Sequence, residues 1–222
     1  MKTMESPLKS PQILIIDDHV LLLKGTVEIV RDRFPEATID TAQTAQAALE
    51  QLARSVPDLA IADLSIPAQP GDDPLIETGL NLLRQLMQSY PDLNLTIQSS
   101  NLKALVRLLP DLDQHHGGLT LVDKGSSIDL LLTRIEWSLQ GLTHTKDLQT
   151  DLDVKPEWLE VLQLAFQEGL QDKAIAETMC KSERMIRHYW SKIQDALAVY
   201  PEPGKNMRSV TQIRAREAGL ID

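Results

Sequence analysis

Cysteine is nearly absent from this 222-residue sequence. The single thiol, Cys180, excludes an intrachain disulfide and leaves no second sulfur for a structural zinc site, so it reads as a small, semi-buried apolar residue. Long apolar runs are missing too. No stretch approaches the ~20 residues a membrane-spanning helix needs, and the opening MKTMESPLKSPQ lacks the apolar middle of a secretory signal. These absences predict a soluble, cytoplasmic protein with no membrane partner. Positive charge is short as well: a formal net charge of -10 excludes a surface coated in nucleic acid all over, while a local basic patch remains compatible with it. With 42% apolar residues the length suits two small globular domains.

Short apolar runs alternate with amphipathic stretches over the first 140 residues, the pattern of a parallel sheet flanked by helices. QILIID reads as a buried strand. After it, Leu23, Val27, Val30 and Phe34 draw one apolar stripe down a helix that Pro35 ends. ATIDTA, DLAIADLSIP, LNLTIQSS and GLTLVDKG supply four further strands. Helices are predicted over TAQAALEQLARS, from Gly79 to Tyr90, from about Leu102, and from Ser127 to Leu139. The fold class is therefore α/β, a five-stranded doubly wound parallel sheet.

In such sheets ligands bind beyond the carboxyl ends of the strands. Asp17 and Asp18 follow the first strand, Asp63 the third, Ser99 the fourth and Lys124 the fifth. A lone Asp at a strand end is usually a cap or a turn former. Three carboxylates converging on one crevice repel unless a cation sits among them, and hard oxygen ligands suit Mg²⁺.

The DD pair, DLSIP and the lysine of VDKG resemble the receiver domains of two-component response regulators, over roughly residues 12 to 140. The resemblance implies a flavodoxin-like fold with Asp63 as phosphoacceptor. It also implies Mg²⁺ held by Asp17, Asp18, Asp63 and the Ser65 backbone carbonyl, with Ser99 hydrogen-bonding the phosphoryl group and Lys124 pairing with it. Leu121 stands where receivers commonly carry an aromatic switch residue. The connection Pro67 to Thr78 is longer than usual, and its Asp72, Asp73 and Glu77 read mainly as solvated. His115 and His116, lacking an obvious third ligand, read as solvated loop residues.

The fifth helix has a core stripe of Ile128, Leu131, Leu132, Ile135 and Leu139, with Leu130 and Trp137 on the opposite side. Those two mark either a contact surface for a homodimer or packing under the linker or the second domain. Composition turns polar from residue 141, giving domains at 1–140 and 154–222 joined by a linker at 141–153.

The second domain reads as all-helical. Pro156 suits a first helical turn, Leu159, Leu162 and Phe166 form a stripe, and Gly169 is a stop. A short helix near Lys173 to Met179 meets a turn at Cys180 and Lys181, and Ser182 caps the next helix. There Ile186, Trp190, Ile193 and Leu197 face inward, leaving Arg184, Arg187, His188, Ser191 and Lys192 outward, a face suited to a DNA major groove. Eight basic side chains stand against three acidic ones between residues 181 and 216. LEVLQLAFQEGLQDKAIAE, SERMIRHYWSKI and AREAGLI resemble the LuxR-type helix-turn-helix of NarL-like response regulators. That resemblance places Arg187, His188 and Ser191 at DNA-facing sites and lets Lys192 reach phosphate. Ser191 occupies a site often basic in that family, and YPEPGKN lengthens the approach to the last helix.

The expected function is a phosphorylation-controlled transcription regulator rather than an enzyme. It takes its phosphoryl group from a sensor histidine kinase and binds DNA as a dimer. Two alternatives stay open: a receiver-based adaptor whose helical domain has lost or altered DNA binding, and a Mg²⁺-dependent phosphatase or phosphotransferase using the same crevice.

Overall fold

The structure is a computed structural model and describes residues 10–112, 114–145 and 155–221. It divides into two compact units, Met1–Leu102 with Asp111–Asp147, and Lys103–Pro110 with Leu148–Asp222. Residues 146–153 of the expected linker lie outside the described residues.

The first unit is built on a parallel sheet of β1 (Gln12–Ile16), β2 (Thr38–Ala42), β3 (Leu59–Ala62), β4 (Asn94–Gln98) and β5 (Leu119–Val122), in the order β2-β1-β3-β4-β5. Every residue of β3 and β5 is buried, as expected of strands covered on both faces. Helices α1 (Val20–Arg33), α2 (Ala45–Arg54), α3 (Ile76–Ser89) and α5 (Ile128–Leu139) flank the sheet. Thr44 caps α2 by accepting from Ala47 N at 3.1 Å. The strand order reverses between β1 and β3, so a crevice opens at their carboxyl ends.

Three local expectations change. Helix α3 starts at Ile76, upstream of Gly79. Gly79 lies inside the helix because a Cβ there would overlap the Leu64 carbonyl. The helix expected from Leu102 is a 3₁₀ helix, Leu102–Leu108, followed by the single turn α4, Leu109–Leu112. Pro110 cannot donate to an uninterrupted helical ladder. Ile128 is 55% exposed. It opens α5, and the stripe reaching the core is carried by the buried Leu131 and Ile135.

The second unit holds α6 (Pro156–Phe166), α7 (Asp172–Thr178), α8 (Glu183–Ala196) and α9 (Met207–Glu217). Its core gathers Leu162, Ile175, Ile186, Trp190 and Ile193, joined by Val106 from the Lys103–Pro110 stretch. In that stretch Arg107 Nε donates to Gly219 O at 2.9 Å. Ser182 Oγ accepts from Met185 N at 3.2 Å and so fixes the start of α8. Gly169 stops α6 in the left-handed region, at φ +70°. Cys180 is exposed, contrary to the semi-buried reading. It sits in the turn between α7 and α8, in the left-handed region at φ 51°.

Candidate functional site

Parallel pairing of Ile16 with Ala62 sets the residues that follow, Asp17 and Asp63, side by side. Asp63 N donates to Ile16 O at 2.9 Å, and both carboxylates are buried. Lys124, leaving β5, reaches across the sheet edge to place Nζ 2.7 Å from Asp17 Oδ2 and 2.7 Å from Asp63 Oδ2. The other oxygens are held by the backbone. Asp63 Oδ1 accepts from Leu64 N at 2.6 Å, and Asp17 Oδ1 from His19 N at 2.8 Å.

Burial alone would lower the Lys124 pKa, but the hydrogen bonds it donates to Asp17 and Asp63, with the attraction of the two carboxylates, outweigh that and raise the value above its ordinary one. The ammonium is therefore firmly charged. Asp18 is half-buried, and its Oδ1 is shielded from solvent without a hydrogen bond. Asp17, Asp18 and Asp63 against one lysine leave a formal excess of two negative charges. A shielded carboxylate oxygen without a hydrogen bond, in a ring of that charge, fits a hard divalent cation.

Ser99 is fully buried at the end of β4, with its Oγ accepting from Asn101 N at 3.3 Å and its carbonyl facing Lys124 N at 3.4 Å. Ser65 is half-buried, two residues past Asp63 on the connection leaving β3. Leu121 is buried in β5, so an aliphatic side chain fills the place where receivers commonly hold an aromatic one. The sequence reading did not single out His19. The structure adds it to the ring: its Nδ1 lies 2.7 Å from Asp18 Oδ1 and 3.4 Å from Asp17 Oδ1. Its position directly after the acidic pair was the available signal.

The long 67–78 connection is tied down at one end. Pro67 O and Ala68 O accept from Ala45 N and Gln46 N, each at 3.0 Å, and so satisfy free donors at the start of α2. Pro67, Pro70 and Gly71 then wall a cleft of about 970 Å³ that runs along Leu23, Lys24 and Val27 of α1. Asp72 and Asp73 are exposed, while Glu77 is half-buried in the first turn of α3. His116 is exposed. His115 is half-buried, and burial first of all lowers its pKa.

On α8, Ile186, Trp190 and Ile193 are buried, while Arg184, Arg187, His188, Ser191 and Lys192 are all exposed. Trp190 is anchored: its Nε1 donates to Asp172 Oδ1 at 3.1 Å, and the Arg208 guanidinium stacks 3.4 Å from its ring centre. Arg208 also pairs with Asp172 at 2.6 Å, so this cation braces the core instead of joining the outward face. Lys205 and Arg214 pair with Glu202 and Glu217, at 2.6 and 2.8 Å. Charge counted along the sequence therefore overstates the outward positive patch. On α5, Leu130 is exposed, whereas Trp137 is half-buried, with His144 at 5.4 Å and Arg134 at 4.9 Å from its ring.

Comparison with known proteins agrees with this geometry. The model of the response regulator receiver domain matches residues 13–136, which is more than half of the chain. The chain belongs to the response regulator receiver family. The transcriptional regulatory protein LnrK of Bacillus subtilis is 27% identical over 85% of this chain and 91% of its own. The DNA-binding transcriptional activator DevR/DosR of Mycobacterium tuberculosis is 24% identical over 82% and 86%. Among solved structures, RcsB from Salmonella enterica serovar Typhimurium bound to promoter rprA is 21% identical. It covers 92% of this chain and 98% of its own, with a TM-score of 0.59, and it shares the fold. Among the described residues no helix is long and apolar enough to cross a membrane.

Proposed function

We propose that this protein is a cytoplasmic, phosphorylation-controlled DNA-binding transcription regulator that accepts a phosphoryl group on Asp63 from a sensor histidine kinase. The observation that carries the reading is Lys124 bonded at once to Asp17 and Asp63, in a ring with excess negative charge. Asp63 acts as nucleophile: a carboxylate oxygen forms the new O–P bond as the P–N bond to the kinase's phosphorylated histidine breaks, and the imidazole leaves with that electron pair. Asp63 Oδ2 is freed when Lys124 turns to an incoming phosphoryl oxygen, and a buried ammonium stabilises the charge that arrives. Ser99, buried just past the end of β4, donates a hydrogen bond from its hydroxyl to the phosphoryl group. Asp17, Asp18, Asp63 and the Ser65 carbonyl would hold Mg²⁺, which when bound would offset repulsion between an anionic acceptor and an anionic donor. Such a domain takes one phosphoryl group and loses it slowly, so it is not a turnover enzyme.

The helical unit, residues 154–222 in its sequence bounds, presents Arg184, Arg187, His188, Ser191 and Lys192 to DNA. LnrK and DevR/DosR are named as transcriptional regulators, and RcsB has been described as dimers bound to DNA. By that likeness the chain works as a homodimer, with the exposed Leu130 and the half-buried Trp137 of α5 as candidate contacts.

The adaptor alternative is favoured by one observation. Arg187 lies 3.8 Å from Glu183 on the same helix, which weakens the positive face. A gel shift with the full chain over a salt series, with and without acetyl phosphate, separates the two. Regulation predicts salt-sensitive binding to promoter DNA that strengthens on phosphorylation and is blind to acetyl phosphate in Asp63→Asn. No salt-sensitive binding in either state supports the adaptor.

A further inference from the structure

His19 occupies the N-cap of α1, yet its side chain caps nothing. The ring instead leans over the acidic crevice, with Nδ1 2.7 Å from Asp18 Oδ1 and 3.4 Å from Asp17 Oδ1. Asp18 Oδ1 is shielded from solvent and still receives no hydrogen bond. His19 Nδ1 therefore approaches Asp18 Oδ1 at ion-pair distance without making a directed hydrogen bond to it. Lys124 engages Oδ2 of Asp17 and Asp63, which puts its positive charge on the opposite oxygens from those His19 approaches.

Around an octahedral ion with bonds of ~2.1 Å, adjacent donor atoms stand roughly 3 Å apart. The spacings of His19 Nδ1 from the two carboxylate oxygens bracket that value. One donor atom from each of Asp17, Asp18, His19 and Asp63 falls within 4.8 Å of the others. The ring is 63% exposed, so it can turn toward an ion without disturbing packed neighbours.

We propose that His19 supplies an imidazole nitrogen to this cation site and sets its metal preference. The site then binds Mn²⁺ and the later first-row divalent ions by mixed nitrogen and oxygen ligation, ahead of Mg²⁺ bound through oxygen alone. Magnesium gains little from an imidazole, whereas first-row transition ions bind it well. The inference rests on the acidic ring being a divalent-cation site, as proposed above.

The test uses the full-length protein with Mn²⁺ and Mg²⁺ as probes. Electron spin echo spectra of the Mn²⁺-loaded chain read nitrogen coupling directly, and competition calorimetry reads the Mn²⁺ to Mg²⁺ preference. Asp18→Asn serves as the control that places the ion. The expected result is nitrogen modulation in the wild type, lost in both His19→Ala and His19→Asn, with the preference falling about tenfold. Both variants should still bind Mg²⁺. Bound Mn²⁺ without nitrogen coupling, or coupling that survives His19→Ala, overturns the role of His19 and leaves the acidic site standing. No binding of either ion removes the site and the role together.

Discussion

The crevice at the sheet edge and the outer face of α8 both depend on charge, and they use it in opposite ways. Asp17, Asp63 and Lys124 are largely withdrawn from water and locked together at 2.7 Å. Each is held by its partners, so removing one strands the others. Arg184, Arg187, His188, Ser191 and Lys192 stand in solvent, where an individual charge contributes little to folding. In the proposed function they would act collectively, when a polyanion approaches. On the proposed function, folding and chemistry are therefore coupled in the crevice and separable on the helix.

Substitutions that cross this boundary break or sharpen the contrast. Trp190→Ala removes a side chain packed against Phe166 and Arg208 and should cost the helical unit about 4 kcal/mol, read by chemical denaturation. Lys124→Met leaves Asp17 and Asp63 facing each other without a counter-charge. We expect a loss of ~3 kcal/mol in chelator, with partial recovery on adding Mg²⁺. Ser182→Ala deletes the cap of α8 and should cost about 1 kcal/mol by the same measurement. Arg187→Ala should change stability by no more than about 0.5 kcal/mol. In a salt titration of DNA binding it should lower the slope by about one counter-ion.

The smallest effect is a pH effect. Burial, the largest cause, holds the His115 pKa below its ordinary value of 6.5, so the folded chain binds fewer protons there than the unfolded chain. Its contribution is complete above pH 6.5 and is lost as pH falls through the lowered folded value. Compared with wild type, His115→Asn should show a flatter melting temperature between pH 7 and pH 5, by no more than about 2 °C.

Much of the crevice was legible before any coordinates, because a parallel sheet delivers strand ends to one edge and the polar residues after β1, β3, β4 and β5 can be read in order. The helix-turn-helix pattern was legible for a similar reason: Ile186, Trp190 and Ile193 repeat at helical spacing and are the buried ones. Gly79 misled as a boundary, since a glycine needed for close approach looks the same in sequence as one that starts or stops a helix. Arg208 misled as part of a basic patch, because its partners Asp172 and Trp190 are distant in sequence. His19 escaped notice because its place directly after the acidic pair does not show which way the ring turns, and it is the turn after β1 that sets Nδ1 beside Asp18.

The most direct measurement is the intact mass of the full chain after incubation with acetyl phosphate and Mg²⁺, beside Asp63→Asn. One added phosphoryl group on the wild type and none on the variant is the predicted result. Equal uptake by both, or none by a wild type shown to bind Mg²⁺, would contradict Asp63 as the acceptor.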